Sequence, residues 1–329
     1  MEFNQEVKKA TNHIYQKISK VLPEIEWASH APYIHEINKL KKEKNAVILA
    51  HNYQTPEIYH GVSDFAADSL ALAVEASKTS ADIILMAGVH FMAETAKLMS
   101  PNKKVLLPDM GAGCSLSSSI TGEDVRNLKK QHPGVPVVSY VNTSAEVKAE
   151  TDVCCTSANA VKIVKSLGVK KVIFLPDNYL AQYVASQTDV EIISWKGICM
   201  VHDQFNDQEI HEIRKNNPEI KIIAHPECPP DVIKASDFAG STSGMIKYVK
   251  DNQPKKVMMV TECSMSDNIQ VENPNVEFIR PCNLCPHMKK ITLPKILDCL
   301  KNETGEIVMD QETIIKAKTS VEKMAAIGR

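Results

Sequence analysis

The chain has 329 residues, 43% of them hydrophobic and 24% charged, and a net charge of −2. Such a balance gives no reason to expect a nucleic-acid partner, and no run of about 18 apolar residues offers a membrane span. Its first residues, Met-Glu-Phe-Asn-Gln-Glu, lack a basic-then-apolar leader, so the cytoplasm is the expected compartment. There, the nine cysteines read as thiols available for metal rather than as disulfides.

In chain order, residues 1–32 read as a packing segment. Residues 33–120 then form a first α/β unit. It begins with an amphipathic stretch from Tyr33, followed by the apolar run Ala46-Val-Ile-Leu-Ala, a second helix around Ser69 to Ser77, the strand Ile83-Ile-Leu-Met, a third helix and the strand Val105-Leu-Leu. Residues 121–205 repeat the order, with a helix from Gly122, the run Val135-Pro-Val-Val-Ser, a helix over Ala158 to Leu167, and the strands Val172-Ile-Phe-Leu and Glu191-Ile-Ile-Ser. Residues 206–290 repeat it again, with a helix from Asp207, the run Ile220-Lys-Ile-Ile-Ala, a helix over Gly244 to Lys250, and the strands Val257-Met-Met-Val and Val276-Glu-Phe-Ile. Helices within residues 291–329 complete the end. Near-continuous apolar strands alternating with helices argue for parallel sheets covered on both faces. The expected fold is therefore three pseudo-threefold-related αβα sandwiches with short parallel sheets around a central site.

Each unit closes on a cysteine: Cys114, Cys199 and Cys285 lie 85 and 86 residues apart. Units facing one axis would bring three thiolates together, and such donors hold cubane iron–sulfur clusters. Three ligands would leave one iron of a four-iron cluster open for chemistry. Spacing separates Cys285 only weakly from Cys282 in the Cys282-Asn-Leu-Cys285 pair. No second such pair and no histidines at zinc-finger spacing accompany it. Cys154, Cys155, Cys263 and Cys299 are placed in helical or helix-edge stretches and read as small hydrophobes. Cys228 has no thiol counterpart in the other units.

Ligand sites in open parallel sheets lie at the carboxyl ends of the strands. After the first strand of each unit come His51 and Tyr53, then Tyr140 and Asn142, then His225 and Glu227. These residue types orient acids and move protons, and their matched register argues against three independent loop contacts. A third set opens each second helix: Asp68-Ser69, Thr156-Ser157 and Thr242-Ser243. Ser and Thr commonly cap helices there, but three such termini on one axis would also trap a small phosphorylated or carboxylated anion.

These residues resemble quinolinate synthases, the iron–sulfur enzymes of de novo NAD biosynthesis. The resemblance rests on Ala50-His-Asn-Tyr-Gln54, Val89-His-Phe-Met-Ala-Glu-Thr-Ala-Lys97, Ala112-Gly-Cys-Ser-Leu116, Tyr140-Val-Asn-Thr-Ser-Ala-Glu-Val-Lys148, Cys199-Met-Val-His202, His225-Pro-Glu-Cys228, Gly240-Ser-Thr-Ser-Gly244 and Cys285-Pro-His-Met288. It implies condensation of iminoaspartate with dihydroxyacetone phosphate, with L-aspartate oxidase as a supplier of iminoaspartate. It implies a [4Fe–4S] cluster on Cys114, Cys199 and Cys285, which leaves Cys282 outside the ligand set. By the same resemblance Tyr53, Tyr140 and Glu227 are the acid/base residues. His51, Asn142, His202 and His225 would hold carboxylates or hydroxyls, and Ser69, Ser157 and Thr242 the anion. Two departures stand out: Met288 lies where some members carry a further cysteine, and Asn178 sits one place before the family's asparagine, so it receives no role. Two other classes use similar parts. A hydro-lyase would act on a hydroxy acid alone, and a non-enzymatic iron–sulfur sensor would need no ring of Tyr, His and Glu.

Overall fold

The computed structural model describes residues 1–280 and 282–328. Among the described residues twelve strands form three four-stranded sheets, all parallel. The first sheet holds β1 (Ala46–His51), β2 (Phe65–Ala67), β3 (Ile83–Ala87) and β4 (Lys104–Leu106). The second holds β5 (Val137–Tyr140), β6 (Val153–Cys155), β7 (Lys171–Leu175) and β8 (Glu191–Ser194), and the third β9 (Lys221–Ala224), β10 (Phe238–Ala239), β11 (Lys256–Val260) and β12 (Glu277–Ile279). Their orders are β2-β1-β3-β4, β6-β5-β7-β8 and β10-β9-β11-β12. The three αβα units expected from the repeat are therefore present. In each, the strand order reverses beside the first strand, which opens a crevice beyond its carboxyl end.

The strand missing from the sequence reading is the edge strand β2, β6 or β10. Each has only two or three residues, too few for periodicity to register. A short helix precedes it: Pro56–Tyr59, Ala145–Ala149 or Pro230–Ala235. Each edge strand is fixed by an aspartate directly before it. Asp64, Asp152 and Asp237 accept from the backbone of Ile48, Val137 and Ile222 at 2.8, 2.7 and 2.8 Å. Their own N–H groups donate to the carbonyls of the same three residues. This staple repeats faithfully although the surrounding side chains differ. It also moves Cys154 and Cys155 out of the helical stretch expected for them and into β6, where both are fully buried.

Local signals account for the other elements. The helix Gly122–Gln131 starts with a capping box between Thr121 and Asp124, and Asn206 caps Asp207–Asn216. The amphipathic stretch from Tyr33 is the second half of a helix running from Glu24 to Glu43 straight through Pro32, a residue that ordinarily marks a helix start. Its buried Trp27, Ile34 and Ile37 join the largest core cluster. The C-terminal helix Gln311–Ile327 lies on the second unit, where Ser320 Oγ bonds the Lys148 carbonyl at 3.0 Å and Cys154 Sγ at 3.3 Å. Among the described residues no helix is long and apolar enough to cross a membrane.

Candidate active site

One open cavity of about 720 Å³ lies where the three units meet. Its lining includes Cys114, Cys199 and Cys285, the strand-end residues His51, Tyr53, Tyr140, Asn142, His225 and Glu227, the helix-start residues Ser69, Ser157 and Thr242, and His202. These thirteen residues, though not Ser243, thus line one space. Cys154, Cys155, Cys228, Cys263, Cys282 and Cys299 are absent from that lining. Cys228 instead directs its thiol at the Val260 carbonyl, 3.4 Å away.

The three cysteine loops are built alike. In each, the carbonyl two residues before the cysteine accepts from the start of the helix after the unit's third strand. His90 bonds Ala112, Asn178 bonds Gly197 and Cys263 bonds Asn283, at 2.7, 2.8 and 3.0 Å. After the cysteine the chain turns into a short 3₁₀ segment, Ser117–Ser119, His202–Gln204 or Met288–Lys290. The turn aims the main-chain amides two and three residues on at the sulfur: Leu116 and Ser117, Val201 and His202, His287 and Met288. Burial pushes all three thiols up, Cys114 to about 12, against the pull of those amides. Nearby thiolates add to the rise, since Cys285 bears on Cys114 and Cys114 on Cys199. A buried soft cation would reverse that balance and hold the thiols deprotonated. Three converging thiols with paired amide donors fit an iron–sulfur cluster, whose sulfur ligands are tuned by such bonds. A tighter grouping, Cys199, His202 and Glu227 within 4.8 Å, could also hold a metal ion. Here its members hydrogen-bond to one another, with His202 Nδ1 at 3.1 Å from Cys199 Sγ and 3.0 Å from Glu227 Oε2.

The acid/base groups form one connected set. His51 Nδ1 accepts from the Tyr53 amide at 3.3 Å, and His225 Nδ1 from the Glu227 amide at 3.4 Å. Each ring, when neutral, therefore carries its proton on Nε2; that of His225 meets Ser157 Oγ at 3.1 Å. Burial lowers His51 to about 4 and His225 to about 3, so both are neutral near pH 7. Burial pushes Glu227 up, but His225 and His202 beside it and hydrogen bonds from His202 and Tyr140 hold it below the usual carboxylate range. Tyr140 donates its phenolic proton to Glu227 Oε1. With Glu227 ionised, His202 donates from Nδ1 and accepts at Nε2 from Thr261 Oγ1, 2.9 Å away. The Thr261 oxygen in turn accepts from Tyr53, at 2.7 Å. Tyr53, Thr261, His202, Glu227 and Tyr140 are thus linked in one network, whose donors converge on Glu227 from both sides. Burial raises both tyrosines well above their ordinary value.

The helix starts differ from expectation in one unit. Ser69 and Thr242 are the first residues of Ser69–Lys78 and Thr242–Asn252, behind caps Asp68 and Ser241. Ser157, by contrast, lies in a turn before Ala160–Ser166, because Asn159 Oδ1 takes the Thr156 amide at 2.8 Å and delays the helix. Asn142 keeps a buried Oδ1 without a partner, a group suited to a ligand donor.

Sequence reasoning missed Thr261, fully buried one residue past β11. It compared the ends of the first strands only; the same comparison for β3, β7 and β11 would have placed Gly88, Pro176 and Thr261 in one register. Also missed were Glu262, Lys289 and His287, the last lining the cavity.

A family model described as "Quinolinate synthetase A protein" matches residues 35–326. The "Quinolinate synthase" of Sinorhizobium fredii is 58% identical over 324 residues, covering 98% of this chain and 90% of the relative. "Quinolinate synthase 2" of Mesorhizobium japonicum is 56% identical over 314 residues (95% and 97%), and the "Quinolinate synthase" of Xylella fastidiosa 58% over 294 residues (89% and 87%). A match along nearly the whole length, onto a fold and cavity of this construction, shows that the chain belongs to the quinolinate synthase family of condensing enzymes.

Proposed function

We propose that this cavity joins iminoaspartate to dihydroxyacetone phosphate, with loss of phosphate and water, and that Cys114, Cys199 and Cys285 hold a [4Fe–4S] cluster there. The observation that carries the reading is the presence of all three thiols and the Tyr53–Glu227–Tyr140 set on one wall-to-wall site. When bound, the cluster supplies a Lewis-acidic iron that no cysteine occupies, an effect worth several kcal/mol in such sites.

The chain's own residues do the rest. Neutral His51 and His225 offer Nε2–H groups to substrate carboxylate or hydroxyl oxygens, and Asn142 offers its unpartnered Oδ1 to a substrate hydroxyl. Ser69, Ser157 and Thr242 receive the phosphate or a second carboxylate, aided by the free amides of two helix starts. Holding two flexible anions together supplies the proximity term. Enolisation and dehydration each need a proton moved. Glu227, ionised, takes one and Tyr53 gives one; such placed groups contribute roughly 10²- to 10⁴-fold each. Tyr140 orients substrate beside Glu227. The protein works in the cytoplasm, where its thiols stay reduced, with an L-aspartate oxidase supplying the unstable imine.

Anaerobic turnover with an iminoaspartate source and dihydroxyacetone phosphate, read as quinolinate formed, tests the proposal. Dehydration of a hydroxy acid with no triose phosphate would instead make this a hydro-lyase.

A further inference from the structure

Glu262 and Lys289 form an ion pair at 2.9 Å beneath the Cys285 turn, with the carboxylate fully buried. An ammonium has three protons, and Lys289 directs them at three elements: Glu262 Oε1, Ser264 Oγ at 2.7 Å and the Tyr53 carbonyl at 2.8 Å. Glu262 in turn accepts from the Ser264 amide at 2.9 Å and, more loosely, from the Cys285 amide at 3.4 Å. The Lys289 amide closes the turn on the Cys285 carbonyl at 3.1 Å. A single charge pair, its carboxylate buried and its ammonium half-buried, therefore touches a cysteine of the third unit and a tyrosine loop of the first. The matched position in the second unit, Asp177, has no such cation: one carboxylate oxygen caps Leu180 and the other is unpartnered. The arrangement is particular to the third unit, so it is not a requirement of the repeat.

We propose that Glu262–Lys289 is a positioning pair that sets the Cys285 turn against the Tyr53 loop. Stability alone is a poor explanation, because a buried ion pair often contributes little net stability relative to an apolar replacement. The pair's value lies in placing two groups from different units in one register. This inference rests on reading Cys285 as a ligand and Tyr53 as an acid/base residue.

Thiol labelling of the full-length chain without cluster, followed by peptide mass spectrometry, tests the geometry without needing either role. In Lys289→Met, Cys285 should react with a maleimide about tenfold faster while Cys114 and Cys199 change by less than about threefold. After anaerobic cluster reconstitution, kcat should fall about 10- to 100-fold, as for other groups that orient a metal's ligands, with KM nearly unchanged and the electron paramagnetic resonance signal of the reduced cluster shifted. Lys289→Arg, which can still span Glu262 and the Tyr53 carbonyl, should recover most of the kcat. The double variant Glu262→Gln/Lys289→Met removes the stranded charge, so it should regain Tm but neither kcat nor slow labelling. The proposal is overturned if Cys285 labelling does not change, if all three cysteines speed up together, or if the double variant regains kcat along with Tm. Full iron retention in Cys285→Ser would sink the ligand reading yet leave the labelling result standing.

Discussion

Tyr53 and His202, from different units, bond the same atom: Thr261 Oγ1 lies 2.7 Å from the phenol and 2.9 Å from the imidazole. A hydroxyl is both donor and acceptor, and only such a group can link a phenol that donates to a ring nitrogen that accepts. Thr261→Val keeps the shape and removes the link. It should cost about 1–3 kcal/mol in stability, because buried polar groups are left unpaired, and lower kcat by about 10²-fold. Thr261→Ser should stay within a few-fold of the parent. Steady-state kinetics of the two variants, with Tm measured alongside, separates the hydroxyl's role from packing.

Glu227 accepts from Tyr140 and from His202 within that network. Glu227→Gln retains size but is no base. Quinolinate formation should drop by about 10²- to 10⁴-fold, with substrate binding far less affected. Full turnover in this variant would remove Glu227 from proton transfer.

Cys114, Cys199 and Cys285 line the cavity, whereas Cys154 and Cys299 are buried elsewhere. Serine at any one of the first three should lower bound iron well below the parent's content and abolish turnover. Alanine at Cys154 or Cys299 should leave iron content and visible absorption as they are. Iron analysis of anaerobically purified variants decides this.

Acid should weaken the fold through its buried imidazoles. Burial lowers His51 and His60 from 6.5 to about 4, and His225 to about 3. Between those values and 6.5 the unfolded chain binds more protons than the folded one, so stability rises with pH across that window and is lost as pH falls through it. Chemical denaturation of the metal-free chain at pH 7 and pH 4.5 should show the loss. His51→Asn should make the dependence shallower.

Asp177 caps Leu180 with one oxygen and leaves the other buried without a partner, and burial raises its carboxyl well above the ordinary range. Burial therefore favours its neutral form. Asp177→Asn, an equally good cap, should leave Tm within about a degree or two, while Asp177→Ala should cost about 1 kcal/mol. A large loss in the Asn variant would mean that the charge matters.

Much of this was readable from the chain because the repeat reports on itself. His51, Tyr140 and His225 each follow the first apolar run of their unit, and that shared register placed them on one axis before any fold was known. The thiols followed by the same reasoning. Elements too short to carry a period, such as β6, stayed hidden, which is why Cys154 and Cys155 were set in a helix. Pro32 masked the first half of its helix. Ser157 was put at a helix start because an asparagine two residues on, whose side chain delays the helix, leaves no trace in periodicity. Lys289 and Glu262 were illegible for another reason: their partners lie 236 and 23 residues away, at the Tyr53 carbonyl and the Cys285 amide. No local pattern encodes such a meeting.

The turns that follow the three cysteines present each sulfur with two main-chain amides, from Leu116-Ser117, Val201-His202 and His287-Met288, and at Cys199 the His202 imidazole adds a side-chain contact. A backbone donor survives a change of side chain, although His202, which also bonds Glu227 and Thr261, is held by its own side chain. Proline is the exception, since it alone removes an amide hydrogen. Outside His202, a side-chain change in those dipeptides therefore leaves the amide donors in place, whereas a proline arriving at any of the six would be felt at the sulfur at once.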